Sequence, residues 1–458
     1  MNPKNKTAVI LGYIRKKNEP ILIDCIKSLK EQTYKDFDIY IYDNSTEEDS
    51  LTDLKNAFPE VIIQKNAKNL GFAGGNNSVL RKIIEPGQYE YAVLLNDDTK
   101  PDKNWLNNLI KTAESDQKIG AVTSKLLFFK PYVRLNFSTE TINPRKLGAG
   151  DDDRDLGVKF YESNAFAETD YSKKFFRDGF YGFETDEDKK FTWTRDSFTI
   201  DLPVEEDSAD KFAVLQLHIK TNGFKEEQKV EVTLGEFKHT LTISKDTSQY
   251  EIKIPRDIIN KQKFNLIQNA GSGITAQFNG YDIGNIQREG TISSDAEIDE
   301  DQYDERREVE MMCGGAVLLK VEALKKVGIF DEYLFTYYED SDLSLRLKRA
   351  GWKIVYEPSA VVRHMHATSS VENSPFFIYH IRKNKPAFVL KNFGIRPSLY
   401  AIKELYVITC KSILEAVKLG FKNSWTNQVA LINLKATFVF TLNMPLLLLK
   451  KFNILKSR

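Results

Sequence analysis

The residues of this chain best suited to chemistry are acids that follow directly after an apolar run. Tyr91–Leu95 reads as a buried strand, and Asn96, Asp97 and Asp98 come immediately after it. A buried parallel strand cannot carry charge along its length, so acids at its C-terminal end belong at the sheet edge where α/β folds bind ligands. Adjacent carboxylates repel each other unless a cation lies between them, which predicts a divalent metal with oxygen ligands. The alternative is that these residues only begin a turn and cap the following helix.

A second acidic cluster, Glu339, Asp340 and Asp342, begins a segment with the pattern of an amphipathic helix. Acids are favoured in a first helical turn by the helix dipole and the free N–H groups, so capping is one interpretation. Three acids in four positions exceed what a cap needs. One of them could therefore act as a general base.

Two histidines end a later apolar strand. His364 and His366 occupy alternating positions and so point to the same side of that strand. A neutral imidazole at a strand end can bind a metal, although a strand histidine can equally be a core or surface residue. Which reading holds depends on whether His364 meets the acidic triplet in space.

Two further motifs could contact a nucleotide. Asp43 ends a strand and could hydrogen-bond a nucleobase or ribose, the alternative being an Asx-turn. Residues 69–77, with the sequence NLGFAGGNN, form a glycine-rich turn that opens a helix, whose free N–H groups could meet a sugar or phosphate.

Composition limits the classes of function. A chain of 458 residues is too long for one ordinary core and suggests two or three domains. Lys plus Arg equals Asp plus Glu at 65 each, so no basic signature of nucleic-acid binding is present. The cysteines, at 25, 313 and 410, are far apart and fit a reducing cytoplasm. We expect no signal peptide, and no transmembrane helix, because the apolar run at 436–449 is short and contains Asn443 and Pro445.

The periodicity predicts three parts. Strand and helix patterns alternate over the first hundred residues, which predicts an α/β doubly wound sheet. Period-two patterns from about 140 to 265 predict an antiparallel β-sandwich inserted into it. We therefore expect a discontinuous catalytic domain (1–136 and 268–395), an inserted sandwich (137–267) and C-terminal helices (396–458).

Taken in order, these motifs resemble the family 2 glycosyltransferases, and more closely the rhamnosyltransferase-like subgroup. The resemblance covers about residues 7–133 and 268–395. It rests on SLKEQT (28–33), YDNS (42–45), NLGFAGGNN (69–77), LNDD (95–98), CGGA (313–316), GIFDE (328–332), YEDSDL (338–343) and VRH (362–364).

The resemblance implies a GT-A fold with a mixed doubly wound sheet and an inverting transfer from a nucleotide-diphospho-sugar. Asp340 would deprotonate the acceptor hydroxyl, while Glu339 and Asp342 would shape the acceptor site or position that base. Asp98 and His364 would hold Mn²⁺ or Mg²⁺. The implied donor contacts are Tyr13, Arg15, Asp43, Asn69, Gly74, Asn76, Asn96 and Asp97, and the implied acceptor contacts are Gly314, Gly315 and Trp352.

Three departures from the family pattern bear on these assignments. Gly12-Tyr13-Ile14-Arg15 stands where Thr-Tyr-Asn-Arg is usual, which weakens the nucleotide contacts of the first strand. Asn96 occupies the first place of the acidic triplet, so metal binding should depend on Asp98. Lys383 separates Arg382 from Asn384, which argues against a phosphate contact from Arg382.

The resemblance thus predicts a cytoplasmic enzyme of cell-surface or capsular polysaccharide synthesis, with dTDP-rhamnose or a UDP-hexose as donor and a glycan or lipid-linked acceptor. The alternative is a non-catalytic glycan-binding or assembly protein on a degenerate transferase scaffold. A metal-dependent phosphohydrolase or nucleotidyltransferase would share the strand-end acids, but it would not explain the acidic helix start paired with a distant histidine.

Two regions lie outside the motifs. In the insert, the aromatic segments 180–184 and 191–195 could stack on sugar rings, as in carbohydrate-binding modules, or could be core. The C-terminal helices combine leucines and phenylalanines with lysines, which suits peripheral contact with an anionic membrane. The alternative is packing against the catalytic domain or a second copy of the chain.

Overall fold

The computed structural model divides the chain into two compact units. The first is formed by Met1–Leu126, Asn269–Ile283 and Asp304–Arg458, and the second by Leu127–Gln268 and Gly284–Tyr303. The predicted insert, 137–267, falls within the second unit. The structure describes residues 7–15, 18–47, 51–85, 87–161, 165–166, 175–186, 189–206, 208–246, 248–287, 294–365 and 374–456.

The N-terminal part of the first unit alternates strands and helices. In chain order these are β1 (Thr7–Tyr13), α1 (Glu19–Lys30), β2 (Phe37–Asp43), α2 (Thr52–Ala57), β3 (Ile62–Lys65), α3 (Gly71–Ile84), β4 (Tyr91–Leu95), β5 (Thr99–Pro101), α4 (Trp105–Ser115) and β6 (Ile119–Phe128).

The chain then forms mainly short strands. They are β7 (Tyr132–Thr139), β8 (Lys159–Tyr161), β9 (Ala165–Phe166), β10 (Phe175–Phe176), β11 (Phe180–Asp186), β12 (Lys189–Thr194), β13 (Ser197–Pro203), β14 (Phe212–Lys220), β15 (Glu227–Leu234), β16 (Phe237–Ser244) and β17 (Gln249–Pro255), followed by α5 (Arg256–Gln262) and β18 (Ile267–Asn269). Four more follow: β19 (Ser272–Ile274), β20 (Gly280–Asp282), β21 (Asn285–Gln287) and β22 (Ser294–Ala296).

The last part returns to mixed structure and ends in helices. Its elements are β23 (Arg307–Glu308), β24 (Ala316–Lys320), α6 (Val321–Val327), α7 (Glu339–Arg349), β25 (Lys353–His364), α8 (Pro375–Asn392), α9 (Ile395–Lys418) and α10 (Ser424–Lys456).

One mixed sheet organises the first unit, with strands in the order β23, β25, β6, β24, β4, β1, β2, β3. Strands β4, β1, β2 and β3 are parallel, whereas β24 runs antiparallel to β4. The predicted mixed α/β sheet is thus confirmed. The four parallel strands are apolar in their centre, as in β1, where Val9 and Leu11 are fully buried. Their carboxyl ends therefore share one edge of the sheet.

The second unit contains two antiparallel sheets. One has the order β10-β13-β7-β15-β16 and the other β11-β12-β8-β14-β17. Buried and exposed residues alternate along β14 and β15, as the period-two pattern predicts. Residues from both sheets, such as Phe137 and Leu215, belong to one hydrophobic core.

The aromatic residues of 191–195 are part of a core and do not form a surface for sugars. Phe191 and Trp193 are 4% and 8% exposed and pack with Leu156 and Tyr161. The idea that Trp193 stacks on a sugar ring is therefore wrong, because its ring faces are covered by protein. In the other segment Phe183 is 40% exposed.

Helices α8, α9 and α10 pack together and share a core that includes Phe388, Leu405 and Phe440. Residues 424–451 of α10 are long and apolar enough to cross a membrane, judged by length and composition alone. The apolar helix is thus longer than the run at 436–449 on which the expectation of no transmembrane helix was based, because neither Asn443 nor Pro445 ends it.

Candidate active site

Motifs that are far apart in the sequence meet at the carboxyl end of β4. The backbone N–H of Asn96 donates to the carbonyl of Gly315 just before β24, at 2.9 Å. The N–H of Met365, which follows β25, donates to the carbonyl of Asp98 at 3.0 Å. The N–H of Gly314 donates to Oδ2 of Asp340 in α7 at 3.3 Å. Three predicted motifs thus surround the end of β4.

Asp98 and His364 form a buried pair. Oδ1 of Asp98 lies 3.1 Å from Nε2 of His364, and the side chains are 7% and 11% exposed. Adjacent ligands of an octahedral ion, each about 2.0–2.2 Å from the metal, lie about 3 Å apart, so both atoms could bind one divalent cation without moving. Nδ2 of Asn96 lies 3.2 Å from the same imidazole nitrogen. His366 lies outside the described residues.

The charges around this pair are strongly negative. Burial alone would lower the pKa of His364, but the nearby carboxylates of Asp98 and Asp97 outweigh it and raise the pKa. Burial, followed by the charge of Asp98, raises the pKa of Asp97, and a hydrogen bond from Asn18 opposes this only in part. Carboxylates held this close favour a bound cation. Asn18, which is 5% exposed at the start of α1, was not predicted from the sequence.

Asp340 has the features of a general base. Its Oδ1 accepts a hydrogen bond from the N–H of Ser341 at 2.6 Å, and Gly314 binds its Oδ2, so the carboxylate has a fixed orientation. Burial raises its pKa, and the hydrogen bonds from Ser341 and Gly314 offset part of that rise. A raised pKa makes a carboxylate a stronger base near neutral pH.

The other two acids of the cluster lie in different surroundings. Glu339 is 6% exposed, and its Oε2 has no hydrogen-bond partner among the described residues. Burial and then the neighbouring Asp340 raise its pKa, which favours the neutral acid.

Asp342 is fully buried among cations. Its Oδ2 accepts from Lys391 at 2.8 Å and from Arg346 at 2.9 Å, and its Oδ1 accepts from Asn392 at 2.8 Å. Burial alone would raise its pKa, but Lys391 and Arg346 hold the pKa far below the usual value. Of its two predicted roles, shaping the acceptor site is therefore wrong, because both carboxylate oxygens are engaged by protein groups away from Asp340.

The turn before α7 is conformationally strained. Phe335, Tyr337 and Tyr338 have φ of 63°, 67° and 69°, the left-handed region that side chains with a Cβ rarely adopt. Each such residue costs on the order of 1–2 kcal/mol. Strain of this kind persists only where the surrounding structure holds it in place, and it is frequent at active sites.

Tyr42 lies beneath the glycine-rich turn, against Gly12 and Gly75. A Cβ at Gly75 would lie 2.3 Å from the Tyr42 ring, and one at Gly12 would lie 2.4 Å from its hydroxyl oxygen. Burial, then the charges of Asp97 and Glu339, raise the pKa of Tyr42. Tyr42, which was not predicted as a site residue, thus lies close to both acidic clusters.

Two predicted donor residues, Asn76 and Tyr13, lie near this tyrosine. Asn76 is buried, donates to the carbonyl of Phe72 at 2.9 Å and is also hydrogen-bonded to Tyr42. Tyr13 is buried at the end of β1, where burial, then Glu19 and other acids including Asp43 and Asp97, raise its pKa.

Both carboxylate oxygens of Asp43, at the end of β2, accept hydrogen bonds from protein groups. Its Oδ1 accepts from the N–H of Ser45 at 2.8 Å, so the Asx-turn interpretation is correct. Its Oδ2 accepts from Lys65 at 2.9 Å. A contact of Asp43 with a nucleoside stays a prediction.

Of the remaining predicted donor residues, Arg15 is exposed, whereas Asn69 and Gly74 shape the backbone of the glycine-rich segment. Oδ1 of Asn69 accepts from the N–H of Gly71 at 2.8 Å and so shapes the turn. A Cβ at Gly74 would lie 2.8 Å from Cβ of Leu70, so this glycine allows a close approach.

Trp352 does not join the site. It immediately precedes β25, and His364 ends that strand, so the twelve residue steps from one to the other span up to roughly 40 Å at 3.3 Å per residue. The indole lies beside Lys320, which pairs with Tyr91 at the start of β4. The predicted acceptor contact from Trp352 is therefore wrong, because the residue lies at the opposite edge of the sheet.

Asp282 at the end of β20 is a further acid that the sequence motifs did not indicate. Its Oδ1 accepts from Asn269 at 2.6 Å and from Ser272 at 2.9 Å. Its charge contributes to the raised pKa of His364. Burial and then Asp282 also raise the pKa of Cys313, which precedes Gly314. Asp282, in a separate hairpin, therefore lies close enough for its charge to act on His364 and Cys313.

Two family models and a curated relative match this chain. The family described as glycosyl transferase family 2 matches residues 8–168, and the family described as glycosyltransferase like family 2 matches residues 294–385, together more than half of the chain. The N-acetylglucosaminyl-diphospho-decaprenol L-rhamnosyltransferase of Mycobacterium tuberculosis, found in two strains, is 47% identical over 64 residues. That match spans 14% of this chain and 21% of the relative.

Among solved structures, the fold is similar to that of GalNAc-T7, crystallised with UDP, GalNAc and Mn²⁺. The TM-score is 0.43 at 10% identity, and the match covers 85% of this chain and 51% of that chain.

Proposed function

Since this chain belongs to the family 2 glycosyltransferases, we propose that it transfers a sugar, with inversion, from a nucleotide-diphospho-sugar to a glycan or lipid-linked acceptor of cell-surface polysaccharide synthesis. The observation that carries the proposal is the meeting of Asp340 with the buried pair Asp98 and His364 around the end of β4. A direct displacement needs a base for the incoming hydroxyl and charge stabilisation for the departing diphosphate.

The donor is proposed to be dTDP-rhamnose or a UDP-hexose. The mycobacterial relative is named for the transfer of L-rhamnose to N-acetylglucosaminyl-diphospho-decaprenol, which supports a rhamnose donor and a lipid-linked acceptor here. Tyr13, Asp43 and Asn76 would contact the nucleotide, while Gly314 and Gly315 would line the acceptor side.

In this mechanism Asp340 accepts the proton of the acceptor hydroxyl as the oxygen attacks the anomeric carbon. The bonds from Gly314 and Ser341 fix the direction in which the carboxylate points. Asp342 keeps the first turn of α7 in place through its ion pairs. General base catalysis of this kind accelerates a reaction by about 10²–10⁴-fold.

Asp98 and His364 would hold Mn²⁺ or Mg²⁺, which when bound offsets the negative charge of the diphosphate. Nδ2 of Asn96 lies 3.2 Å from Nε2 of His364, so Asn96 would line the metal site beside the imidazole. Asp97, hydrogen-bonded by Asn18, adds a second carboxylate next to this pair. A cluster of acids would repel a diphosphate without a cation, so donor binding should require metal.

Asp340→Asn tests the catalytic proposal. Donor sugars are first screened by thermal shift with Mn²⁺, because a ligand that binds only the native state raises its stability. The variant should bind the selected donor as tightly as the wild type, while transfer falls by about 10²–10⁴-fold. Asp257→Asn, which removes an exposed acid from the first turn of α5, is the matched control.

Two results would contradict the enzyme proposal. Transfer at the wild-type rate in Asp340→Asn would show that Asp340 is not the general base. Donor binding that is unchanged by a metal chelator would show that the donor does not need a bound cation. If the wild type binds glycans but neither transfers nor hydrolyses any donor, the chain is the non-catalytic binding protein considered as the alternative.

We further propose that α9 and α10 lie on the cytoplasmic face of an anionic membrane. The exposed face of α10 is an apolar stripe at helical spacing, formed by Leu431, Leu434, Phe438, Leu442 and Leu449. From residue 395 onward the only acids are Glu404 and Glu415, whereas lysines recur throughout. An apolar face with surrounding lysines suits a bilayer with negative headgroups and a lipid-linked acceptor.

Flotation with vesicles tests this surface. The full chain should float with vesicles that contain phosphatidylglycerol and much less with phosphatidylcholine alone. The double variant Phe438→Glu and Leu442→Glu should stay at the bottom, whereas Leu147→Glu in the second unit should float, since Leu147 and Leu442 are 62% and 63% exposed. If the wild type fails to float and instead forms a dimer that the double variant disrupts, the surface binds a second copy.

A further inference from the structure

Asn384 in α8 binds the strained turn that precedes α7. Its side chain is fully buried, and its Nδ2 lies 2.7 Å from the carbonyl of Leu334, 2.8 Å from that of Thr336 and 2.9 Å from that of Tyr337. We propose that Asn384 is a positioning residue for the base Asp340: its amide holds the left-handed turn that delivers this acid to the site. This inference rests on the proposed function.

The rest of the same helix face supports the turn. The ring of His380 stacks on Phe335, with centroids 5.0 Å apart and planes 12° apart. Lys383 donates to the carbonyl of Tyr333 at 2.6 Å. Phe377 contacts Tyr337 edge to face at 5.1 Å. Residues 377, 380 and 384 recur at helical spacing, so one face of α8 engages almost every residue of the turn.

The turn needs such support because its backbone has few bonds of its own. Phe335, Tyr337 and Tyr338 all have positive φ. The backbone N–H of Phe335 donates to the carbonyl of Glu332 and that of Thr336 to the carbonyl of Leu334, while the carbonyl of Phe335 accepts from Ala73. Without the Asn384 amide, whose two N–H groups are shared among three carbonyls, these carbonyls would lose a donor and the left-handed residues would be free to relax. Asp340 lies two residues beyond Tyr338 and would move with them.

The metal-binding pair would not move in the same way. Asp98 follows β4 and His364 ends β25, so both are held by the central sheet and not by the turn. Loss of Asn384 should therefore affect donor binding and transfer differently, whereas an unfolding defect would reduce both. Donor binding with Mn²⁺ should be retained, and transfer should be slowed.

The test measures three quantities in Asn384→Ala: the melting temperature, the affinity for the donor with Mn²⁺, and kcat for transfer. We expect donor affinity close to that of the wild type and a loss in kcat of about 10²-fold, the effect of a misplacement near 1 Å. Asn143→Ala is the matched control, because Asn143 is also buried and donates to the carbonyl of Asp153 at 2.8 Å in the second unit.

Two results would overturn the inference: wild-type kcat in the variant, or a parallel loss of donor binding and transfer. If Asn384→Ala does not fold, Asn384→Gln replaces it, since it keeps an amide at a shifted position, and the same split between kcat and donor affinity is expected. Absence of transfer by the wild type with every donor would instead refute the proposed function, so the two failures are distinguishable.

Discussion

Asp342→Asn should destabilise the first unit strongly although it preserves the shape of the side chain. Asp342 is fully buried and accepts from both Lys391 and Arg346. Removing one member of a buried ion pair costs about 3–5 kcal/mol, because the partner is left buried and uncompensated. The loss in free energy of unfolding should be at the lower end of this range, about 3 kcal/mol. Lys391 still pairs with Asp331 at 2.9 Å, and Arg346 still donates hydrogen bonds to three backbone carbonyls.

The assay is urea unfolding followed by tryptophan fluorescence. Of the four tryptophans only Trp193 belongs to the second unit, so Trp193→Phe gives a background in which the signal reports the first unit. Asp24→Asn is the control, because Asp24 and Lys27 form an exposed pair worth less than about 1 kcal/mol. A difference between Asp342→Asn and its parent no larger than that of Asp24→Asn would refute the reasoning.

The pH dependence has a defined sign. The folded-state pKa of Asp342 is depressed by Lys391 and Arg346, so its contribution is fully present above the unfolded pKa of about 3.9. That contribution is lost as the pH falls further, toward the folded pKa. The stability difference between the parent and Asp342→Asn should therefore be constant from neutral pH to about pH 5 and shrink below about pH 4.

Two further predictions concern close packing and thiols. Gly75→Ala should lower the free energy of unfolding by about 1–3 kcal/mol and weaken donor binding, because its Cβ would lie 2.3 Å from the Tyr42 ring, whereas Gly182→Ala, with nothing within 4 Å, should leave both unchanged. Brief alkylation of the native chain at pH 8 should modify exposed Cys410 and spare Cys25, whose pKa burial raises to about 12; mass spectrometry that finds Cys25 labelled first would contradict this.

The sheet and the strand-end pair could be predicted because they depend on local pattern. Apolar runs that end in polar residues locate the carboxyl edge of a sheet, and this rule places Asp98 at that edge. The partner His364 was predicted for the same reason. The sequence pattern does not predict where segments without a recognisable motif lie in space. Asp282 and Asn18 were missed for this reason. Their contacts with the site depend on packing between segments distant in the chain.

The roles within the acidic cluster needed the three-dimensional structure. In a helix, residues two positions apart point in nearly opposite directions, so Asp340 and Asp342 could not both face the acceptor. The sequence alone does not say which one does. Lys391 and Arg346 decide it, because two buried cations beside Asp342 leave only Asp340 toward Gly314.

The C-terminal helices are energetically part of the catalytic unit. Lys450 in α10 pairs with Asp331, Asp331 pairs with Lys391, and Lys391 pairs with Asp342 in the first turn of α7. A chain of ion pairs, buried except at the partly exposed Lys450, therefore connects the proposed membrane helix to the helix that carries the proposed base. Deleting residues after 393 would leave Asp331 without one partner and uncover the core around Phe388. Loss of activity on truncation would then report damage to α7, which is why exposed substitutions such as Leu442→Glu are the test that isolates membrane binding.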